Sequence, residues 1–512
     1  MVQICCAVIL LVNMSGKIQG TVSDAENGEP IADANVLVLN TDIGAATDAE
    51  GDFFILNMEP GDYTIEVSCL GYGTKRVANV LVEYSKTSRI NISLDPTPVD
   101  IAPVTVTSER PAVSKDMVGT TYLVRKEEIA HLPVDYTMNL IAFQAAVARR
   151  DTALHVRGGR ATEVQYMIDN VPIIDPQTGD MAINLSRGVI DEVIFLPGGF
   201  NAEYGRAMSG IVNMVTARPA DILSMRVRGK TERLMDAEHD YGYENVESSI
   251  HLPAGKRLKG YLSIDLMHTN DWDPRLQVLP HKERDDYSLY GKWLYTASSK
   301  LKMSLSGAMS RSQFDRYETL WRFHLDHYRS DLNQGNLQAI NVTYLPDTRK
   351  FFQFTVSRLY NSKTYGVRED IAYNIFDNFK FRPYDSLQWQ QPSLDNPFGA
   401  YVMKPYGAGD YPEYGDKTSQ VIRTTLNSDI QMHKYHQMKA GFEYVLQSFN
   451  SFVYFISDNT QQLIDEYQYH PAEYSLYVQD NIDYKGLFAK VGCRYDYFSS
   501  DIEGIEPKHY VS

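Results

Sequence analysis

The chain contains 512 residues, of which 43% are hydrophobic and 22% are charged, which is enough for two or more packed domains. The formal net charge of −16 argues against a nucleic-acid-binding protein, because such a protein needs a basic face to neutralise phosphates. No run of eighteen apolar residues occurs, so the sequence predicts no membrane-spanning helix.

Residues 1–15 are interpreted as a partial signal-like segment. The apolar run from Ile4 to Val12 has about the length of the hydrophobic region of an export signal, but no Lys or Arg precedes it and no Ala-x-Ala site follows. The alternative is a first buried strand. The cysteines are too scattered to indicate a disulfide framework or a zinc site. They are Cys5, Cys6, Cys69 and Cys493.

Residues 16–96 predict a compact β-sandwich, because short apolar or alternating runs are separated by turn signals every eight to twelve residues. The strings GTVSDAENGEPIADANVLV and TDAEGDFFILNMEPGDYTIEVSCLGY resemble the carboxypeptidase-regulatory-like β-sandwich. The segment contains no histidine, and no H-E-x-x-H motif occurs in the chain, so a His-ligated catalytic zinc cannot form within it. We therefore expect a structural or adaptor module and not an enzyme.

Residues 97–111 predict an extended linker, because the prolines in the stretch from Asp95 to Pro103 prevent helix formation. The run Val104 to Thr107 is β-prone and is bounded by Pro103 and Pro111. It is expected to offer its backbone edge to a partner strand without belonging to a sheet of its own.

Residues 112–220 predict a small α+β domain. Glycines stand where short strands end, in Leu154 to Asp175 and in Glu192 to Arg218, and glycine there permits positive φ or close backbone approach. Taken alone, these glycines indicate only a tightly turned domain. The strings VRGGR, MIDNVPI and PGGFNAEYGRAMSGIVNMVT, however, resemble the plug of bacterial TonB-dependent outer-membrane receptors. The sandwich of residues 16–96 resembles the one that precedes the plug in many such receptors of the Bacteroidetes type. The motif residues are Arg157, Gly158, Gly159, Asp169, Gly198, Gly199, Tyr204, Gly205 and Gly210.

Within the plug, the sequence predicts core strands at Val164 to Asp169, Val189 to Leu196 and Ile211 to Thr216, and short helices between Glu127 and Phe143, the second capped by Asp135. The resemblance implies that charged plug residues face charges of a barrel wall; the alternative is a solvated plug surface. These residues are Arg157, Arg160, Asp169, Glu203 and Arg206.

The resemblance also implies a coupling box before the plug, which pairs by strand addition with a TonB-type periplasmic energy transducer. It falls on Val104, Thr105, Val106, Thr107 and Ser108. The further implied partners are outer-membrane lipid and an imported ligand, with no nucleic acid and no cofactor. A surface lipoprotein partner is left open.

Residues 221–512 alternate polar and apolar side chains with a period of two, as in Leu301 to Leu305 and Leu487 to Tyr495. Alternation alone fits a soluble sandwich equally well. Short links, however, alternate strictly with long links, as in an outer-membrane barrel with tight periplasmic turns and large external loops. About eleven strands precede Ser512, whereas plugged transporters have about 22. We therefore expect the first half of a large antiparallel transmembrane β-barrel, truncated at its C-terminus.

These expectations give a mainly β protein with an N-terminal β-sandwich, a small α+β plug domain and the first half of a large antiparallel β-barrel. The predicted function is that of an outer-membrane TonB-dependent receptor, which takes up a ligand through a plugged β-barrel by energy coupling. The aromatic loop from Asn361 to Thr418 is expected to stack on sugar or peptide ligands or to pack on itself. The alternative function is a soluble or surface-attached adhesion or scaffold protein built from serial β-sandwiches.

Overall fold

The computed structural model describes residues 16–41, 43–58, 61–83, 87–96, 104–107, 121–132, 141–144, 147–150, 153–205, 208–232, 241–273, 279–369, 378–388, 409–456, 462–484, 487–501 and 508–511. The signal-like segment, Ser108, Arg206 and residues 135–140 of the helix predicted after Asp135 lie outside these residues, whereas its residues 141–142 are described and helical. In the described part of the chain, no helix is both long and apolar enough to cross a membrane.

The N-terminal unit is a β-sandwich in which apolar side chains of two sheets face each other. One sheet has the order β4-β1-β7, with β8 also paired to β1, and the other has the order β3-β2-β5-β6-β9. Ile18, Phe53, Ile65 and Leu94 are among its fully buried side chains. The strands are β1 (Gly16–Asp24), β2 (Asn35–Val38), β3 (Gly44–Ala46), β4 (Asp52–Met58), β5 (Gly61–Ser68), β6 (Lys75–Val82), β7 (Thr87–Arg89), β8 (Ile92–Leu94) and β9 (Val104–Thr107).

The strand β9 is the predicted coupling segment, and its position differs from the sequence-based expectation. It pairs in parallel with β6, in the register Lys75 to Val104 through Ala78 to Thr107. The expectation that it belongs to no sheet was therefore wrong. The physical reason is that β6 would otherwise be an edge strand, and its open backbone groups accept a β-prone segment.

The plug contains a five-stranded sheet of order β10-β15-β16-β13-β14 and a separate hairpin of β11 and β12. The three predicted core strands are present as β13, β15 and β16, and the first predicted helix is present as the short helix α1. The elements are β10 (Tyr122–Arg125), α1 (Lys126–His131), β11 (Val147–Arg150), β12 (Ala153–Val156), β13 (Val164–Ile168), β14 (Val171–Pro172), β15 (Ile190–Leu196) and β16 (Gly210–Thr216).

The remaining strands form one large antiparallel sheet, which we call the wall. Twelve strands follow one another in chain order, and β26 adds to the outer end of β25. The strands are β17 (Ser224–Thr231), β18 (Glu244–Pro253), β19 (Leu258–Thr269), β20 (Arg284–Ser298), β21 (Leu301–Asp315), β22 (Arg329–Asp347), β23 (Lys350–Val367), β24 (Glu413–His433), β25 (His436–Ile456), β26 (Gln462–Tyr469), β27 (Ala472–Tyr484), β28 (Leu487–Ser499) and β29 (Lys508–Val511).

The wall matches the predicted alternation of short and long links. Adjacent strands meet in short turns such as 348–349 and 434–435, and long connections join them at the other end. The strand β26 was not predicted, because it lies within the link expected to connect Asn450 to Ala472. Its pairing with β25 extends that hairpin beyond the main sheet.

The two faces of the wall carry different side chains. On one face, Ile264, Leu305 and Leu476 are about half exposed. On the other face, Ser263 and Tyr290 are buried. The plug packs on this second face, where its core continues into wall residues such as Tyr261 and Leu337. The apolar face therefore points away from the plug, as the sequence predicts.

The sandwich lies against the short turns of the wall. Its Asp48 pairs with Arg349 at 2.8 Å, and its Asp52 pairs with Lys434 at 3.3 Å. Arg89 pairs with Asp483 at a third turn. The sandwich, and with it β9, therefore lies at the end of the wall opposite the long loops.

Candidate functional site

The candidate site is the interface between plug and wall, and its central residue is Asp169. Asp169 and Asn170 form the two-residue turn between β13 and β14, and both have positive φ, at 47° and 66°. Such a turn matches the twist of the flanking strands and favours Asp and Asn. The side chain of Asn170 is held by Asn213 of β16 at 2.6 Å. The local sequence thus fixes the direction of the Asp169 carboxylate.

The Asp169 carboxylate contacts both the plug and the wall. Thr216 donates to it from its backbone N–H at 2.9 Å and from its hydroxyl at 2.6 Å. From the wall, the Lys292 ammonium lies 3.0 Å away and the Tyr290 hydroxyl 3.3 Å away. Burial acts to raise the pKa of Asp169, but Lys292 and the bonds from Thr216 outweigh burial, so its pKa lies below the usual value. The charged form is therefore stabilised.

A second contact lies at the apex of the plug, around the buried carboxylate of Asp175. It accepts hydrogen bonds from Asn361 of β23 and Ser419 of β24, each at 2.9 Å. Lys363 reaches the neighbouring Asp180 at 2.8 Å. The apex is thus held by polar groups of two adjacent wall strands, beside the apolar core that the plug shares with the wall.

A third contact involves the plug segment 201–205. The guanidinium of Arg494 donates to the carbonyl oxygen of Glu203 at 3.1 Å and pairs with Glu443 of the wall at 2.9 Å. The Glu203 carboxylate lies 3.4 Å from Lys439. A Cβ atom at Gly205 would lie 2.6 Å from the Arg494 guanidinium, so glycine allows this close approach.

A cavity of about 100 Å³ separates the first and third contacts. Asp169, Tyr204 and Gly205 line it from the plug, and Arg423 and Glu443 line it from the wall. Three residues of the two sequence motifs are thereby brought to one polar gap. A gap of this size has room for water, and its charged and hydrogen-bonding lining can bind it.

The other motif residues lie elsewhere. Arg157 and Gly158 form a turn after β12 with φ of 50° and 80°, and the Arg157 guanidinium lies next to Gly198. The backbone N–H of Arg160 donates to the Glu163 carboxylate of the plug at 3.1 Å. The remaining motif positions lie in the same region of the plug. They are Gly159, Gly199 and Gly210.

Among the described residues, Asp169 and Glu203 are plug charges that face charges of the wall, as the resemblance implies. The wall partners Lys292, Lys439 and Arg494 were not identified from the sequence. Each is one of many polar residues on the inward-facing side of a long alternating strand, so no local pattern distinguishes it. The period of two predicts which way they point but not which of them meets the plug.

Comparisons with known proteins match this architecture. Residues 17–95 match the family of the carboxypeptidase regulatory-like domain. The TonB-dependent transporter Oar of Myxococcus xanthus is 27% identical over 219 residues, which are 40% of this chain and 20% of that protein.

Solved structures of similar fold cover the larger part of the chain. The unliganded ferric citrate transporter FecA has a TM-score of 0.59 at 14% identity, covering 78% of this chain and 59% of its own. The outer-membrane transporter YddB from Escherichia coli has a TM-score of 0.55 at 14% identity, covering 76% and 57%. The siderophore receptor PiuA from Acinetobacter baumannii has a TM-score of 0.53 at 10% identity, covering 79% and 63%.

The chain thus spans a fifth of the curated relative and about three fifths of these solved structures. At identities of 10–14%, the structures establish the fold, and the regulatory-like domain is established by its own match. The chain therefore carries a carboxypeptidase regulatory-like domain in front of the plug and wall fold of TonB-dependent receptors, and its sequence is similar to a TonB-dependent transporter.

Proposed function

We propose that the chain supplies the regulatory-like domain, the plug and part of the barrel wall of an outer-membrane TonB-dependent transporter. A ligand binds at the long loops and at the apex of the plug. A TonB-type periplasmic transducer pairs with Val104–Thr107 and pulls the plug, so that the ligand passes between plug and wall. The proposed partners are this transducer, the outer-membrane lipid and the imported ligand.

The observation that carries the proposal is the position of the plug on the polar face of a wall whose other face is apolar. Exposed apolar side chains recur along successive strands, for example Val246, Ile264, Leu289 and Leu305. Exposure of a continuous apolar surface of this kind to water is unfavourable in free energy, whereas contact with lipid is favourable. The polar face and the plug then belong to the interior of the barrel.

The polar nature of the interface supports a plug that moves. The contacts at Asp169, Asp175 and Glu203 are hydrogen bonds and ion pairs, which water can replace as they break. The net contribution of each such hydrogen bond to a charged group is about 1.5–3 kcal/mol, since water competes for the same groups. A pulling transducer therefore has to break several such contacts and to separate the plug from the apolar wall residues on which it packs, such as Tyr261 and Leu337.

The location of β9 supports access by a periplasmic partner. The sandwich and β9 lie at the short turns of the wall, and short turns face the periplasm in outer-membrane barrels. The long loops then face the exterior, where a ligand arrives.

Cell fractionation tests the proposal directly. We expect the product of the full gene to sediment with outer membranes, to require detergent for extraction, and to migrate differently on a gel before and after heating, because a closed barrel resists detergent until heated. A product recovered in the soluble fraction without detergent, with the same mobility in both samples, would contradict the proposal and favour a scaffold or adhesion protein.

A further inference from the structure

The face of the wall that points away from the plug changes from apolar to polar at one level on three neighbouring strands. Along each strand, every second residue lies on this face, and directly paired residues share a face. On β22 the exposed Ile340 is followed, in the direction of the long loops, by Gln338, which is paired with Arg358 of β23. On β24 the exposed Ile422 is followed in the same direction by Gln420. The apolar surface therefore ends at these residues.

Beyond this level, the same face carries polar side chains up to the long loops. At its upper end the Thr364 hydroxyl donates to the Asp416 carboxylate at 3.3 Å. Next to Asp416, the ring of Tyr384 covers the face by packing on Phe452 and Tyr454, at ring-centroid distances of 4.9 and 5.2 Å. We call the polar positions the outer polar band. They are Gln334, Asn336 and Gln338 on β22, Arg358, Tyr360, Ser362 and Thr364 on β23, and Asp416, Thr418 and Gln420 on β24.

The outer polar band is taller than the headgroup layer of a phospholipid. The strand advances about 20 Å from Arg358 to Thr364, at about 3.3 Å per residue. A strand tilt of about 40° leaves a height of about 15 Å along the membrane normal. Phospholipid headgroups occupy about 5–8 Å on each side of a bilayer. A lipid that covers the band therefore needs a larger polar head.

Arg358 gives the band a positive charge, and its partners in the described part of the chain include no carboxylate. Its Nε and Nη2 atoms donate to the side-chain oxygen of Gln420 at 3.0 and 2.7 Å, and its Nη1 atom donates to that of Gln338 at 3.3 Å. The guanidinium also lies 5.5 Å from the ring centroid of Tyr360. A guanidinium has five N–H donors, so each terminal nitrogen keeps one for a further acceptor. Two such parallel donors suit a phosphate group.

We propose that the outer polar band binds the head of a phosphorylated glycolipid of the outer leaflet, with Arg358 on a phosphate and the neighbouring amide and hydroxyl groups on the sugars. Amides and hydroxyls both donate and accept hydrogen bonds, as sugar hydroxyls require. The inference rests on the proposed function, because it needs the apolar face to lie in lipid. The acyl chains of the glycolipid then continue along the apolar surface at Ile340 and Ile422.

Native mass spectrometry of the full-length protein in detergent tests this site. The probes are lipid A, which is an acylated glucosamine disaccharide with phosphates, its dephosphorylated form, and phosphatidylglycerol, which has a phosphate but no sugar. We expect the parent protein to retain lipid A at least about tenfold more than either other lipid, because each lacks one of the two contacts. Equal retention of lipid A and either other lipid would overturn the inference.

A pair of arginine variants locates the site. Arg358→Gln removes the positive charge from the band and is expected to reduce the retention of lipid A at least about tenfold. Arg349→Gln is the matched control, since it removes a guanidinium at the short turn between the same two strands, and it should retain lipid A as the parent protein does. Parent-level retention by Arg358→Gln, or an equal loss in the control, would overturn the inference.

The heat-dependent shift on a gel separates this site from the proposed function. A parent protein without the shift contradicts both, whereas a parent protein that shows the shift and binds the three lipids equally contradicts the lipid site alone. If Arg358→Gln itself loses the shift, Gln420→Leu replaces it, because this change removes two of the hydrogen bonds that orient the guanidinium. Gln420→Leu is expected to lower the retention of lipid A at least about threefold, and unchanged retention would overturn the inference.

Discussion

Asp169 accepts hydrogen bonds from the plug and the wall at once, and about one fifth of its side chain is exposed. Removing Lys292 leaves the Asp169 carboxylate hydrogen-bonded to Thr216 and Tyr290 but without this compensating charge in a poorly solvated place. We expect Lys292→Met and Asp169→Asn to be coupled by about 1–2 kcal/mol, because each removes the same ion pair. Hydrogen exchange at the Thr216 amide gives the free energy of local opening of the plug. It is measured in the parent protein, in the two single variants and in the double variant. Strict additivity would show that the pair contributes nothing.

Glu192 of β15 gives the plug a pH dependence. Burial raises the pKa of Glu192 to about 7, although Arg125 and Arg218 oppose the shift. The folded plug therefore binds a proton that the unfolded chain releases at lower pH, so plug stability falls as the pH rises from about 4.5 to about 7. We expect Glu192→Gln to remove this slope and to stabilise the plug above pH 7 by up to about 3 kcal/mol. Hydrogen exchange in β15 at several pH values measures it, and an unchanged slope in the variant would refute this assignment.

Gly335 of β22 allows the plug to approach the wall. A Cβ atom there would overlap the carbonyl oxygen of Ala182 in the plug, whereas a Cβ atom at Gly307 in the neighbouring strand has its nearest neighbour at 3.6 Å. We expect Gly335→Ala to lower the opening free energy of plug residues 182–185 by about 1–3 kcal/mol, the cost of overpacking. Gly307→Ala is the matched control and is expected to change it little. Equal effects of the two variants would show that the close approach is unimportant.

Of each contact between plug and wall, the sequence predicted only the residue on the plug side. Asp169, Glu203 and Gly205 were selected because they lie in motifs that resemble a plug. Their wall partners Lys292 and Arg494 lie in strands that alternate regularly, and no local pattern marks one inward polar residue above its neighbours.

The sandwich and the short turns of the wall are joined by ion pairs, so increasing the salt concentration should weaken the contact between these elements. The pairs Asp48–Arg349 and Asp52–Lys434 are partly exposed, so each is worth about 0.2–1 kcal/mol. We expect Arg349→Ala with Lys434→Ala to broaden the distance distribution between spin labels at Glu26 and Lys300, most clearly at low ionic strength, where the parent pairs are strongest.

Arg76→Ala is the control for this contact, since its partner Glu66 lies within the sandwich. The control should leave the distance distribution narrow. A double variant with the parent distribution at every salt concentration would show that other contacts hold the sandwich in place.

The strands themselves were largely predictable, because a period of two and the alternation of short and long links are local features. The strand β26 was missed, since it lies inside a long link and pairs only with the extended end of β25. The pairing of β9 with β6 was also missed. Parallel pairing between segments about thirty residues apart leaves no periodic signal in either of them, and its geometry depends on the edge that the rest of the sandwich leaves open.

In the whole molecule, the two faces of the wall have different surroundings. In the proposed transporter the apolar side chains face lipid, and the polar side chains meet the plug and water. Composition could not predict this arrangement, because a soluble sandwich has the same alternation with its apolar face inward. The link lengths and the plug motifs favoured the barrel, and the structure places the plug on the polar face.

Site-directed spin labelling along β21 in lipid vesicles tests this arrangement most directly. Single cysteines replace Met303, Leu305 and Met309 on the exposed face, and Ser304, Ser306 and Ser310 on the plug side. We predict that labels at the first three positions collide often with oxygen, which concentrates in lipid, and rarely with a water-soluble nickel complex, and that labels at the other three collide rarely with oxygen. Oxygen collision rates that do not alternate from one residue to the next along β21 would contradict the transporter account. Labels at Leu305 and Met309 that are shielded from oxygen in a dry protein interior would contradict it as well.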